Sequence, residues 1–573
     1  MNTFNRQLWQ RLLIIAKPYW FSQEKWGARG LLAILVLLLL MVNGINVFIS
    51  FVSRDFMTAL SSKQADKFFH VFLVYAGVLI LGTPIVVFYR YVQHKLGLYW
   101  RRWLTNHFLE LYFRNRAFYQ INSNSSIDNP DERISQDVNT FTTSALSYLL
   151  TILDSFITLI SFIGILWSIS SNLAIINVIY SLFGTIITVW FGKRLIGLNF
   201  NQLRREADFR YKLVNVRDNA EMIAFFGGET QELFQIRQRF NEALKNFNFL
   251  IGWQRNLRFF TTGYNYFIAL IPSVVIAPLY FAGKVEFGVV GQADLAFSQV
   301  LSALSLIVSE FQGLSAFIAE INRLSTFAQA LDKPTLAFQS GVTVIDTRID
   351  SYLALEHVTL LTPDYRRTLI RDLSLTVEPG ARLLINGPSG SGKSSLVRAL
   401  AGLRNAGTGL IIRPELEEML FLPQRPYMIL GSLRSQLLYP KTSSQIPEEK
   451  LYSILEQVNL KDLPERVGGL DVDDLDWANV LSLGEQQRLA FARLLLTLPR
   501  YAILDEATSA LDLENEAWLY QQVQATPTIF ISIAHRTSLL KYHQQILELK
   551  GDSSWELTSA ENYSKINIFT DAE

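Results

Sequence analysis

Residues 382–396 read Arg382-Leu383-Leu384-Ile385-Asn386-Gly387-Pro388-Ser389-Gly390-Ser391-Gly392-Lys393-Ser394-Ser395-Leu396. The first five form a short apolar run suited to a buried strand, and an apolar helical pattern starts at Leu396. Between them stands G-x-x-x-x-G-K-[ST], in the strand–loop–helix setting that its chemistry requires. Gly387, Gly390 and Gly392 let backbone N–H groups close around phosphate oxygens, and the helix N-terminus adds its positive end. Pro388, Ser389 and Ser391 fill the rest of the loop. Lys393 is expected to reach the β- and γ-phosphates of ATP and Ser394 to hold magnesium, with Ser395 beside them.

Downstream, Tyr501-Ala502-Ile503-Leu504 reads as a second buried strand that delivers Asp505 and Glu506 at its C-terminal end. That is the end at which open α/β sheets bind ligands. Asp505 is placed to bind magnesium and Glu506 to polarise a water for attack on the γ-phosphate. A third strand, Ile529–Ala534, ends at His535. A lone histidine there is usually incidental, but beside the other two elements it is expected to contact the γ-phosphate.

These elements, in this order, resemble the ATP-binding cassette family. Leu481-Ser482-Leu483-Gly484-Glu485-Gln486-Gln487-Arg488 is similar to its signature motif. Ser482 and Gly484 fall on the usual serine and second glycine; Leu483 replaces the first glycine and Glu485 the glutamine. Gln424 matches the Q-loop, which implies a contact to nucleotide and magnesium. Ser509-Ala510-Leu511-Asp512 matches the D-loop, and His535 the switch histidine. The usual adenine-stacking aromatic is replaced by Thr362, leaving Tyr365 as the candidate. In this family the signature motif of one cassette faces the phosphate loop of another, so Ser482, Gly484 and Glu485 would serve a different nucleotide from Gly387–Ser395. One chain then implies a two-fold partner, a second copy being the economical choice.

The first half of the chain has a different character. Gly30–Ser53 carries no charged residue, and Phe68–Tyr89 no acid, lysine or arginine. A bilayer core of about 30 Å needs roughly 20 apolar residues in a helix, so each is long enough to span. Residues 155–192 would overshoot one bilayer at about 1.5 Å per residue, and Ser170-Ser171-Asn172 is placed to fold them in two. The expected spans are 31–53, 68–90, 146–168, 173–193, 259–283 and 295–319. They lie in a membrane domain over 1–331, followed by a linker over 332–350 and a cassette over 351–573. The N-terminus and the two long connections hold 24 lysines and arginines, against 4 in the other three connections. The excess puts the N-terminus, and with six spans the cassette too, on the cytosolic side. The long connections show helical spacing, so the spans are expected to continue as helices into the cytosol. Asp128-Asn129-Pro130-Asp131 marks a turn in the first of them, either an ordinary one or one that rests on the cassette.

The expected fold is therefore an α-helical six-span membrane domain of exporter type followed by an α/β P-loop domain, working as a homodimer. Apolar residues make up 50% of the chain and charged residues 18%, as a lipid-embedded half demands. Lysine plus arginine (52) balances aspartate plus glutamate (51), so net charge implies no nucleic-acid partner. Cysteine is absent, which excludes disulfides and thiolate chemistry, and no secretory signal is read at the N-terminus.

Tyr99–Thr105, Asp128–Ile134, Glu206–Tyr211 and Arg217–Glu221 narrow the resemblance to one branch. It holds the bacterial BacA/SbmA-related transporters and the D-subfamily half-transporters of peroxisomes and lysosomes. The resemblance implies ATP-driven uptake of bulky hydrophilic solutes, cobalamin or peptides, across a bacterial inner membrane. Export, or acyl-CoA transport, on the same architecture is the alternative; an ATP-gated channel without turnover would lack Glu506 or His535. Glu310 and Asp154 lie within spans, where ionised groups usually face water or a partner. Each either lines a solute cavity or bonds a neighbouring helix, and in the first case Glu310 could couple a proton.

Overall fold

The computed structural model describes residues 6–123, 127, 129–306, 310–332, 343–378, 380–441, 445–473 and 475–563. Asp128 of the expected turn, and most of the expected linker, lie outside them. The chain forms two compact units, Met1–Lys333 and Pro334–Glu573.

Among its described residues the N-terminal unit carries helices and no strand. Six helices are long and apolar enough to cross a bilayer among the described residues. They contain Lys25–Ser61, Ala65–Phe113, Val138–Ile169, Ser171–Asp218, Glu229–Phe281 and Phe287–Leu304. Most run well past their apolar stretches. The 48 residues of Ser171–Asp218 span about 70 Å at 1.5 Å per residue, more than twice a bilayer core. A single extended residue, Ser170 (φ −161°, ψ 120°), separates Val138–Ile169 from Ser171–Asp218. The last span differs from the expected 295–319. Its helix starts at Phe287, takes in Asp294 and ends at Leu304; a new helix, Phe311–Asp332, follows.

Leu73, Ile80, Leu81, Ile160, Ile179, Ile186 and Val274 are all more than 60% exposed. In water such a surface would be prohibitive; facing lipid it is what a span presents. Where helices meet, small residues allow close approach. A Cβ on Gly288 would fall 1.8 Å from the Arg54 carbonyl oxygen, and one on Gly313 2.2 Å from the Tyr148 hydroxyl. One apolar core joins Ile15 and Tyr19 of the first helix, Arg6–Trp20, to Trp100, Phe141, Leu324 and Phe327. A second joins Phe162, Leu173, Ile276 and Phe297.

Among the described residues the C-terminal unit holds ten strands: β1 Asp346–Ile349, β2 Leu353–Leu361, β3 Thr368–Val377, β4 Leu383–Asn386, β5 Gly407–Arg413, β6 Met419–Leu422, β7 Tyr501–Asp505, β8 Ile529–Ile533, β9 Gln545–Leu549 and β10 Trp555–Ser559. One sheet has the order β1-β5-β2-β3, the other β10-β9-β4-β8-β7-β6. In the second, β9, β4, β8, β7 and β6 are parallel, and the Leu, Ile and Phe side chains of β9, β4, β8 and β7 are buried on both faces, as parallel sheets require; Leu420 and Phe421 of the edge strand β6 are half-buried. β1 lies inside the segment expected as linker. All four of its residues are exposed, so no apolar pattern marks it; parallel pairing with β5 holds it in the sheet.

Candidate functional site

The register of the parallel sheet brings the sequence motifs together. Three adjacent strands, β4, β8 and β7, end side by side, with Leu504 opposite Ser532 and Ile385 opposite Ile533. Beyond their C-terminal ends come the loop Gly387–Gly392, His535, and Asp505 with Glu506. Gln424 follows the neighbouring strand β6. This is the crevice at which open α/β sheets hold ligands.

The loop wraps a space. Gly387 has φ +146° and Gly392 φ +107°, conformations that side chains disfavour. A Cβ on Gly387 would lie 2.3 Å from the Leu549 carbonyl oxygen, and one on Gly392 3.2 Å from Leu369 Cβ. The helix Lys393–Leu400 starts at Gly392. Lys393 Nζ donates to the carbonyls of Gly387 (2.6 Å) and Pro388 (2.9 Å), across the mouth of the loop. Burial pulls its pKa below the ordinary lysine range, and Glu506 and Asp505 act in the other direction. The buried Ser391 hydroxyl has no hydrogen-bond partner. Gly387 N donates to Asn386 Oδ1 and Ser391 N to the Pro388 carbonyl, and a glycine-rich turn at a helix N-terminus with one ammonium and an orphaned hydroxyl suits a polyphosphate. Pro388, Ser389, Gly390 and Ser394 are exposed around it, while Ser395 Oγ accepts from Arg404 at 2.7 Å.

Burial raises the pKa of Asp505, Glu506 adds to this, and Arg398 and Lys393 oppose it. No cluster of three His, Cys, Asp or Glu stands among the described residues. One carboxylate, one hydroxyl and one amide, from Asp505, Ser394 and Gln424, match instead the sparse oxygen set that magnesium takes when phosphates and water complete its shell. Glu506 sits in the left-handed region at φ +49°, held by its N–H to the Ile533 carbonyl at 2.9 Å. Its Oε1 lies 3.7 Å from His535 Nε2.

Tyr365 lies in the β2–β3 hairpin loop. Thr362 Oγ1 bonds Asp364, and Tyr365 N donates to the Thr362 carbonyl, turning the ring partly outward at 38% exposure. The strand that follows carries Leu369, which meets Gly392, so the hairpin lies against the phosphate loop.

Ser482 caps the helix Leu483–Thr497 in a reciprocal capping box with Glu485. Both carboxylate oxygens of Glu485, an expected nucleotide contact, are engaged within the chain. Oε2 accepts from Ser482 N (2.9 Å) and Oε1 from Arg466 (2.6 Å). Burial works against ionisation, yet these bonds hold its pKa below the ordinary glutamate range. Its place is under the signature serine. Gly484 is constrained by the D-loop, since a Cβ there would stand 3.1 Å from the Ala510 carbonyl oxygen.

Two buried polar side chains that tie the site's elements together escaped the sequence reading. Buried Gln487 donates to the Gln424 carbonyl (2.9 Å) and Ser509 Oγ (3.1 Å) and accepts from Ala510 N (3.0 Å), joining Q-loop, signature helix and D-loop. Arg493, its pKa lowered to about 10 by burial, holds the carbonyls of Tyr427 and Gln436. Arg493 is a charged residue inside the apolar run Leu489–Leu496, which was the available signal; Gln487 stands among the polar residues Glu485, Gln486 and Arg488, where nothing local marks it.

In the membrane unit, Asp154 Oδ1 accepts from Asn43 Nδ2 at 2.7 Å, and Asn43 Oδ1 from Thr158 at 2.8 Å, a polar link between two spans. Glu310 opens the helix after the break, its carboxylate beside Gly313 and Tyr148.

Residues 15–281 match the family described as ABC transporter transmembrane region 2, and residues 370–509 the ABC transporter family. An uncharacterised ABC transporter ATP-binding protein of Synechocystis is 51% identical, over 94% of this chain and 83% of its own length. ABC transporter D family member 2 of Arabidopsis thaliana, chloroplastic, is 43% identical, over 95% and 86%. A lysosomal cobalamin transporter of Mus musculus is 32% identical, over 96% of each. The solved structure of a bacterial Atm1-family ABC exporter with ATP bound shares the fold, with a TM-score of 0.73 at 18% identity over 94% and 97%. Six spans joined to one phosphate-loop domain define an ATPase that drives transport across a membrane. The chain belongs to the ABC transporters, as a half-transporter of the D family.

Proposed function

We propose that two copies of this chain form a symmetric dimer that clamps two ATP molecules. Each would lie between Gly387–Ser395 of one copy and Ser482 and Gly484 of the other. Magnesium is held by Ser394, Asp505 and Gln424; Glu506 polarises the attacking water, His535 contacts the γ-phosphate, and Tyr365 stacks on adenine. The observation that carries this reading is the convergence of the phosphate loop, Glu506 and His535 at the ends of three adjacent parallel strands. Lys393→Ala is expected to weaken ATP binding at least about tenfold, as loss of a charge-assisted contact does; unchanged binding would remove Lys393 from the site.

The solute we propose is bulky and hydrophilic, cobalamin before peptides, taken up across a bacterial inner membrane with the N-terminus and cassette cytosolic. The cobalamin transporter among the relatives supports the solute, and the 24-to-4 imbalance of basic residues supports the orientation. Asp154 and Glu310 are the proposed lining of the path. Labelled cobalamin should accumulate faster in cells carrying the gene than in cells without it. Stimulation of the ATPase by acyl-CoA but not cobalamin in nanodiscs would replace this solute with the lipid alternative; ATP-dependent efflux would reverse the direction.

A further inference from the structure

Glu506 follows β7 on an irregular turn, 506–509, and His535 lies on the short loop 534–536 that leads into the 3-10 helix Thr537–Tyr542; beyond the bond from Glu506 N to the Ile533 carbonyl no sheet ladder joins them. A buried carboxylate does. Glu516, on the helix Leu513–Gln524, is 1% exposed. Its Oε2 accepts from Thr508 Oγ1 (2.9 Å) and from an Arg536 guanidinium N–H (3.1 Å), and its Oε1 from Ser538 Oγ (2.6 Å). One side chain thus grips the residue two places after Glu506 and the residues one and three places after His535. Arg536 extends the grip, donating to the carbonyls of Ser509 (3.0 Å) and Leu511 (2.9 Å).

An ionised carboxylate in such a place is costly, and apolar packing usually stabilises a fold as well or better. The arrangement has more meaning as geometry. Three directional bonds fix the two loops against each other where a shift of about 1 Å between reacting groups costs on the order of 100-fold in rate. We infer that Glu516, through Arg536, Thr508 and Ser538, is a positioning residue for ATP hydrolysis that sets the gap between Glu506 and His535. Both of its carboxylate oxygens are taken by protein donors, so it acts through those residues. The inference rests on the reading of Glu506 and His535 as the hydrolytic pair.

The test uses full-length protein in nanodiscs, with kcat and KM for ATP measured for wild type, Glu516→Gln, Ser538→Ala, Glu506→Gln, His535→Ala and the Glu516→Gln/His535→Ala double variant. Glu516→Gln should lower kcat about tenfold and leave KM within about twofold, the signature of an interaction that matters only in the transition state. Ser538→Ala should lower kcat less, in the same pattern. In the His535→Ala background Glu516→Gln should cost less than about twofold more, because residues acting through one another are not additive. Wild-type kcat in Glu516→Gln, or losses that multiply in the double variant, would overturn the inference. If Glu516→Gln does not fold, Ser538→Ala and Thr508→Val decide by the same split between kcat and KM. Wild-type turnover in Glu506→Gln would instead sink the reading of the site, a separate outcome.

Discussion

His535 Nε2 stands 3.7 Å from Glu506 Oε1, although 29 positions separate the two residues in the chain. The pairing is a product of register. Asp505 is opposite Ile533 across the parallel strands β7 and β8, so the residues just past each end are neighbours. Glu506 is held there in a left-handed conformation, which costs a non-glycine residue about 1 kcal/mol or more and persists where the surroundings over-determine it. The carboxylate is 31% and the imidazole 49% exposed, open to a ligand.

The cap on the signature helix gives a first prediction. Glu485→Ala removes the capping box and the Arg466 contact, and should destabilise the cassette by about 1 kcal/mol and lower ATPase activity several-fold by loosening Ser482. Glu485→Gln keeps the box and should retain most of both. Denaturant titration and ATP turnover of the two variants check it.

A second prediction concerns the membrane unit. Arg323 bridges Glu132 (3.2 Å) and the nearly buried Asp137 (3.0 Å), while Arg133 donates to the Arg323 carbonyl at 2.8 Å. These bonds fasten the turn after Asn129 to the helix Phe311–Asp332. Arg323→Ala takes a cationic partner from a buried carboxylate and should cost about 3 kcal/mol. Asp137→Asn in the same chain should recover part of it. Melting temperatures of the three proteins in detergent decide the matter.

The third is a pH effect. His543 is buried between Ser532 Oγ (2.9 Å) and the Leu539 carbonyl (2.8 Å), and burial lowers its pKa to about 4. An unfolded histidine titrates near 6.5. Between these values the unfolded chain binds a proton that the folded cassette does not, so stability rises with pH across that window. The contribution lost on acidification approaches about 3 kcal/mol below pH 4. Cassette unfolding followed from pH 4 to 7 should show a shallower slope in His543→Gln than in wild type.

Much of this was legible in the chain. The phosphate loop is contiguous, so the eight residues Gly387–Ser394 carry the whole motif, and charge-free apolar runs announce most spans. What stayed hidden shares one physical property: it depends on contacts distant in sequence or lacks an apolar pattern. β1 is exposed on every residue and visible only through its pairing with β5. The last span is expected over 295–319, whereas its helix starts at Phe287, runs through Asp294 and ends at Leu304. Glu485 is marked by its position in the signature motif, but its bond to Arg466, 19 residues away, is not. Nothing local marks Glu516 as the residue that binds two loops.

The central claim is that this chain hydrolyses ATP with Glu506 and uses that step to move a solute. ATP turnover by purified wild type and Glu506→Gln in proteoliposomes, with nucleotide binding measured alongside, tests it most directly. Loss of turnover by at least about 100-fold, with ATP still bound and solute movement stopped, is the predicted result. Turnover at the wild-type rate in Glu506→Gln would contradict the account.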